Sequence, residues 1–65
     1  MQSVLRLPTV KTRTGLSRST IYSLIKKNSF PKQILLGTRS VGWLEQDIEN
    51  WIESRIVKSQ MEDDL

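Results

Sequence analysis

A chain of 65 residues that contains neither cysteine nor histidine has to hold itself together by packing alone. Domains of this size bury only roughly 60% of the surface their unfolded chains expose, so many of them lean on disulfides or a structural metal. The composition removes both supports, and with them zinc fingers and histidine acid–base chemistry. One small domain remains, built from short elements around a core of about a dozen apolar side chains.

The lack of cysteine fits a reducing compartment. No stretch approaches the roughly 20 apolar residues needed to cross a bilayer, and Met1 to Arg6 has no apolar run of signal-peptide length. A cytoplasmic protein without a membrane partner is expected.

Ten basic residues outnumber seven acidic ones, a mild excess of +3 whose distribution says more than its size. Arg6, Lys11, Arg13, Arg18, Lys26, Lys27, Lys32 and Arg39 all precede Glu45, and no acid accompanies them. All seven acids follow, accompanied only by Arg55 and Lys58. Such segregation concentrates positive potential on one part of the domain, which suits a polyanion such as nucleic acid. The plainer alternative is a solvated surface that happens to be basic.

Turn signals divide the chain without repeats or low-complexity segments. Pro8 suits the first turn of a helix, because its missing N–H would have no partner there, and residues 8–14 read as a short helix with Leu7 and Val10 inward. Gly15 fits a left-handed helix terminus, Leu16 a plug between two helices, and Ser17 an N-cap for the next. Thr20 stands where a capping box would have Glu or Gln. From Arg18 to Lys27, Ile21, Leu24 and Ile25 define one buried face. Asn28 and Ser29 end this helix, and Pro31 pushes Phe30 to an extended conformation. A β-hairpin follows, pairing Ile34 to Leu36 with Val41 to Trp43 across a turn at 37–40. Gly37 serves the turn and Gly42 a close strand approach. The spacing of Leu44, Ile48, Trp51, Ile52 and Ile56 predicts a third helix from Glu45 to Val57, with acids in its first turns and bases at its end.

Two short helices joined by a tight glycine turn, then a hairpin, then a closing helix, is the order of a small winged helix-turn-helix. The fold class is therefore mainly α with a small β-hairpin. Residues 1–58 read as one winged helix-turn-helix domain and 59–65 as a disordered acidic tail. With the basic surface confined to the first three elements, DNA binding is the leading reading. The second helix would enter the major groove by its N-terminal part, where free N–H groups and short side chains meet phosphates and base edges.

At this point the sequence resembles the AlpA family of prophage regulators. The likeness rests on Leu5-Arg6-Leu7-Pro8, on the run from Arg13 through Thr14-Gly15-Leu16-Ser17-Arg18-Ser19-Thr20-Ile21 to Tyr22, on Phe30-Pro31-Lys32, on Val41-Gly42-Trp43-Leu44-Glu45 and on Trp51-Ile52. It spans roughly Val4 to Arg55. The family looks like a compact relative of the winged-helix excisionases. The resemblance implies a DNA-binding regulator of a mobile element, one that activates excision functions or itself acts as an excisionase-like directionality factor. Thr9 departs from the pattern, which has Glu or a similar helix former there, and touches the first helix more than the DNA-reading positions.

Ser19, Ser23 and Lys26 share the exposed face of the second helix, and matched to the excisionase pattern they would meet base edges or flanking phosphates. Ser17 caps that helix where it would reach DNA. Arg18 could bind guanine bidentately or pin a phosphate, and Tyr22 could touch a phosphate or sugar, or instead pack beside Ile21 and Ile25. Arg39, between Thr38 and Ser40, suits a wing tip that inserts a guanidinium into the minor groove. Lys27 and Lys32 fit phosphate contacts that need only a point charge. Trp43 and Trp51 read as core rather than as stacking platforms for bases.

Catalysis fails on inventory: every carboxylate lies in the last third of the chain, on a helix face or in the tail, so no enzyme activity, metal or cofactor is expected. Two functions stay in view. One is a regulator that binds double-stranded DNA, a monomer in solution that associates on DNA. The other is a protein-interaction module whose acidic third helix and tail dock an integrase, RNA polymerase or another regulator.

Overall fold

The computed structural model describes the backbone of residues 3–63 and the side chains of residues 3–60. In chain order the elements are β1 (Val4–Leu5), α1 (Leu7–Thr14), α2 (Arg18–Lys26), β2 (Ile34–Leu35), β3 (Val41–Leu44) and α3 (Glu45–Asp63). Three helices and a small antiparallel sheet give the winged helix-turn-helix layout.

Local chemistry sets most of the boundaries. Arg6, extended at φ −90°, precedes α1, and its carbonyl accepts from the Val10 N–H at 3.0 Å. Pro8 falls in the first turn, where no donor is missed. Gly15 ends the helix with φ 72°, a left-handed conformation that costs a side-chain-bearing residue about 1 kcal/mol, and its N–H donates to the Lys11 carbonyl at 2.8 Å. Three residues later α2 begins under a Ser17 cap. It closes with Asn28 at φ 60°, the Asn28 N–H donating to Ile25 and the Ser29 N–H to Leu24. These are the two bonds of a Schellman motif, with asparagine in the left-handed position usually held by glycine.

The sheet has one strand more than the hairpin read from the sequence. β3 lies in the middle, flanked by β2 on one side and by β1 on the other. Val4 faces Leu44 and Leu5 faces Trp43, while Ile34 faces Gly42 and Leu35 faces Val41. A hairpin alone would be marginal in water, and the N-terminal strand supplies the third partner that such a small sheet needs. β3 runs straight into α3, whose first N–H, from Glu45, donates to the Ser3 carbonyl at 2.8 Å.

The core takes Leu5, Val10, Ile21, Phe30, Trp43 and Ile48, one residue from each of five elements and Phe30 from the α2–β2 connection. Leu7, Leu16, Leu24, Ile25, Trp51 and Ile52 pack around them half-buried. Trp43, Ile21, Ile48 and Val10 are fully buried. The indole of Trp43 donates to the Pro31 carbonyl at 3.1 Å, which satisfies its one polar atom and ties the wing base to β3.

Gly42 has a steric reason to be glycine. A Cβ there would lie 2.6 Å from Val4 Cγ1, 2.9 Å from the Leu5 carbonyl oxygen and 3.0 Å from Leu36 Cδ1. The side chains of β1 and of the wing close over it. Gly37 differs from the expectation: its φ is not positive and a Cβ would meet nothing within 4 Å, so the turn does not demand glycine.

The third helix also departs from the reading of the sequence. It continues six residues past Val57 to Asp63, so the segment expected to be a disordered tail is helical in backbone as far as that residue. Asp64 and Leu65 lie outside the described residues. The apolar stripe outruns the core it was expected to be spent on. Ile48 is fully buried and Ile52 half-buried, but Ile56 is 53% exposed and Val57 50%.

Candidate nucleic-acid interface

The surface proposed from the sequence is built by two elements, α2 and the β2–β3 wing. On α2, burial of Ile21 with Leu24 and Ile25 packed behind it turns the opposite face to solvent. Ser17, Arg18, Ser19, Ser23 and Lys26 are exposed there, and Tyr22 is half-buried.

The N-terminus of α2 is a hydroxyl cluster. Ser17 Oγ accepts from the Thr20 N–H at 3.3 Å, so the cap expected from the sequence is present. The same oxygen lies 2.9 Å from Thr20 Oγ1 and 3.3 Å from Ser19 Oγ. Ser17 is thus the cap and Thr20 its hydroxyl partner, while Ser19, at the longer distance, keeps a hydroxyl that can turn outward to a ligand. The other N–H groups of that first turn have no partner within the helix, and no acid stands in it.

Arg18 and Tyr22, four residues apart, pair on the same face. The guanidinium carbon lies 5.7 Å from the Tyr22 ring centroid, within range of a cation–π contact. Stacking restricts the arginine and leaves its fork of donors facing outward. The two roles weighed for Tyr22, packing and ligand contact, are compatible in this arrangement, because its ring is half-buried while supporting Arg18.

The wing closes through the Leu36 N–H, which donates to the Ser40 carbonyl at 2.7 Å. Gly37, Thr38 and Arg39 form the projecting tip, all exposed, with Ser40 half-buried at its base. Lys27 caps α2 and Lys32 precedes β2, both exposed. The sites assigned from the sequence therefore fall on a helix face, on the connection after it and on one hairpin tip.

Two cations outside this set are engaged elsewhere. Arg13 Nη1 lies 3.0 Å from Glu45 Oε2 and 3.9 Å from Glu49 Oε1, so the acidic first turns of α3 draw off one charge of the basic segment. Arg55 lies over the Trp51 ring at 4.8 Å and donates to the Ser29 carbonyl at 3.4 Å, which fixes it to the far side of the α2–β2 connection.

The sequence reading missed Leu35. It belongs with Ile34 and Leu36 to one apolar run of sequence, yet it is 75% exposed, the most exposed of the large apolar side chains described. Alternation alone gives no warning, since register puts Leu35 on the same face as the buried Trp43 and Leu5. Among the described residues, no three His, Cys, Asp or Glu side chains gather to hold a metal ion, and no helix is long and apolar enough to cross a membrane.

Comparison with known proteins places the sequence. The family model described as "Prophage CP4-57 regulatory protein (AlpA)" matches residues 3–56, which takes in both strands of the wing, the helix-turn-helix and the core-packed part of α3. A protein of enterobacteria phage P4, ORF88, described as uncharacterized, is 50% identical over 52 residues, covering 80% of this chain and 59% of its own length. The chain thus spans less than two thirds of that relative. The protein of Escherichia coli K12 named "DNA-binding transcriptional activator AlpA" is 43% identical over 58 residues, covering 80% of this chain and 83% of its own. On the match across residues 3–56 and these identities, the chain belongs to the AlpA family of prophage regulatory proteins.

Proposed function

We propose that this protein is a sequence-specific regulator that binds double-stranded DNA in the bacterial cytoplasm, in association with the nucleoid, and controls or assists excision of a prophage or integrative element. The observation that carries the proposal is the exposed face of α2 together with the wing tip. Ser19, Ser23, Lys26 and the stacked Arg18 stand on one, Thr38 and Arg39 on the other, with no acid anywhere before Glu45. The name of the E. coli relative supports the same reading.

The N-terminal half of α2 enters the major groove. Ser19 and Ser23 meet base edges, Arg18 reads a guanine or pins a phosphate, and Tyr22 holds the guanidinium in place. The first-turn N–H groups of α2, with Lys26, Lys27 and Lys32, hold the sugar-phosphate backbone. Arg39 enters the adjacent minor groove, with Thr38 and Ser40 at its sides. A domain this small covers one short site, so useful affinity comes from several copies that are monomers in solution and associate on DNA.

A second reading has its own support. The exposed Ile56 and Val57, on a helix that runs on to Asp63, form a surface the core does not use and could dock an integrase or RNA polymerase. The two functions can coexist, since the surfaces do not overlap.

The test is binding of the purified protein to duplex fragments from its own genomic neighbourhood, with random duplex as competitor. Retention of one or a few fragments against excess competitor supports the regulator. Equal binding to every duplex opposes it, and binding of a protein partner that is lost on Ile56→Ser with Val57→Ser or on removal of residues 59–65, with DNA binding absent, favours the docking module.

A further inference from the structure

Leu35 stands apart from its neighbours in the wing. Register places it beside Val41, and alternation along β3 puts Val41 on the same side as Trp43 and Leu5, the side that carries the helices. Trp43 and Leu5 are buried there, whereas Leu35 lies beyond the reach of the helical cover and is 75% exposed. Leu36, the next residue, faces the other way and has a structural task, closing over Gly42. No such task falls to Leu35.

Its surroundings along the chain are cationic or neutral: Lys32 precedes it, Arg39 stands at the tip just beyond, and no acid occurs in the whole segment up to Leu44. Exposed leucine on a charged hairpin is unfavourable in water, which makes a contact that removes it from water favourable. The charge around it points to a polyanion as the occupant rather than to an apolar protein surface. Minor-groove walls present the apolar faces of deoxyriboses, and proteins that enter this groove with arginine also use leucine or similar residues as an apolar contact.

We infer that Leu35 is a DNA-contacting residue of the wing, packing on the deoxyribose wall of the groove that Arg39 enters, and supplying a part of the affinity that salt does not screen. The inference rests on the DNA-binding reading given under Proposed function. It assigns the wing two separable components: a charged tip that releases counterions and an apolar flank that does not.

The experiment measures affinity of the intact chain and of Leu35→Ser and Leu35→Met for the best-retained duplex fragment, by fluorescence anisotropy across a salt series, with thermal melting of each protein in parallel. An exposed side chain contributes little to folding, so both variants should melt as the unsubstituted protein does. Leu35→Ser should bind roughly tenfold more weakly at every salt concentration, with the slope of log affinity against log salt unchanged, and Leu35→Met should recover most of the loss.

Three results overturn the inference. Undiminished binding by Leu35→Ser, with a steep salt slope in both proteins, leaves the DNA reading intact and removes Leu35 from it. A joint fall of melting temperature and affinity in Leu35→Ser makes the residue structural. Self-association of the free protein that Leu35→Ser abolishes, with DNA affinity unchanged, assigns the face to a second copy. If the unsubstituted protein binds no duplex, the underlying reading fails as well, and that outcome is distinct from the others.

Discussion

The indole N–H of Trp51 donates to the backbone carbonyl of Ser29 at 2.7 Å, across 22 residues of sequence. The bond fastens the end of the α2 segment to α3. Phe30 meets the Trp51 ring edge-on, with centroids 4.8 Å apart and planes at 60°, and Arg55 stacks on the same ring. Asn28 and Ser29 form the turn that stops α2, so the bond anchors the C-terminal end of α2 to the long helix.

Trp51→Phe keeps a ring against Phe30 but removes the donor. Loss of that bond should lower stability by about 1 kcal/mol, while Trp51→Ala, which also empties the half-buried site, should cost about 3 kcal/mol. Urea denaturation midpoints of the three proteins check this ranking. Equal midpoints would show that the brace contributes nothing.

Gly42→Ala should be destabilising by about 1 to 3 kcal/mol, because the new Cβ meets Val4, Leu36 and the Leu5 carbonyl oxygen at once. Adding Val4→Ala relieves the shortest of these approaches but not the one to the backbone. The double variant should recover part of the stability and no more, which a double-mutant cycle on thermal unfolding reads directly.

Ser17 separates folding from binding. Ser17→Ala removes the cap and should cost about 1 kcal/mol, whereas Ser17→Asp restores a cap and places an anion favourably at the helix start. The aspartate variant should therefore melt at or above the unsubstituted protein yet bind duplex DNA much more weakly, because in the proposed interface its charge would face the phosphates. Undiminished DNA binding by this stable variant would place the interface elsewhere.

Arg39→Ala and Lys26→Ala should each leave melting unchanged, both side chains being exposed. Each should weaken DNA binding and make the salt slope shallower by about one unit, because one phosphate fewer is neutralised. Anisotropy titrations at several salt concentrations give both numbers. If Arg39 also reads minor-groove shape, its removal should weaken binding to the selected fragment more than to random duplex.

Punctuation made the helix-turn-helix readable. Gly15, Ser17 and Asn28 each have a local conformational preference strong enough to mark a boundary, and Ile21, Leu24 and Ile25 mark which side of α2 is covered. The exposed positions of α2 follow from that periodicity alone, whereas the pairing of Arg18 with Tyr22 one turn on emerges only in the structure. What escaped the sequence depends on contacts between distant segments. Val4 and Leu5 are too few to signal a strand, and only their register with Leu44 and Trp43 makes one. Arg13 gives no sign of its acidic partners 32 and 36 positions away. Leu35 and Leu36 look alike in sequence, and only the geometry of the sheet separates a residue that shields Gly42 from one left in water. The end of α3 is not marked in the sequence, because Ser59 and Gln60 are polar without being helix breakers and the apolar stripe stops before the helix does.

Whether α2 and the wing meet a polyanion is tested most directly by the affinity of the intact protein for its selected duplex across a salt series. Lys26, Lys27 and Lys32, with Arg18 and Arg39 where they also neutralise phosphate, predict a steep linear fall of log affinity with log salt, with a slope corresponding to roughly three to five phosphates. Binding that is absent, or that stays constant as salt rises, would contradict a DNA-facing role for these two elements.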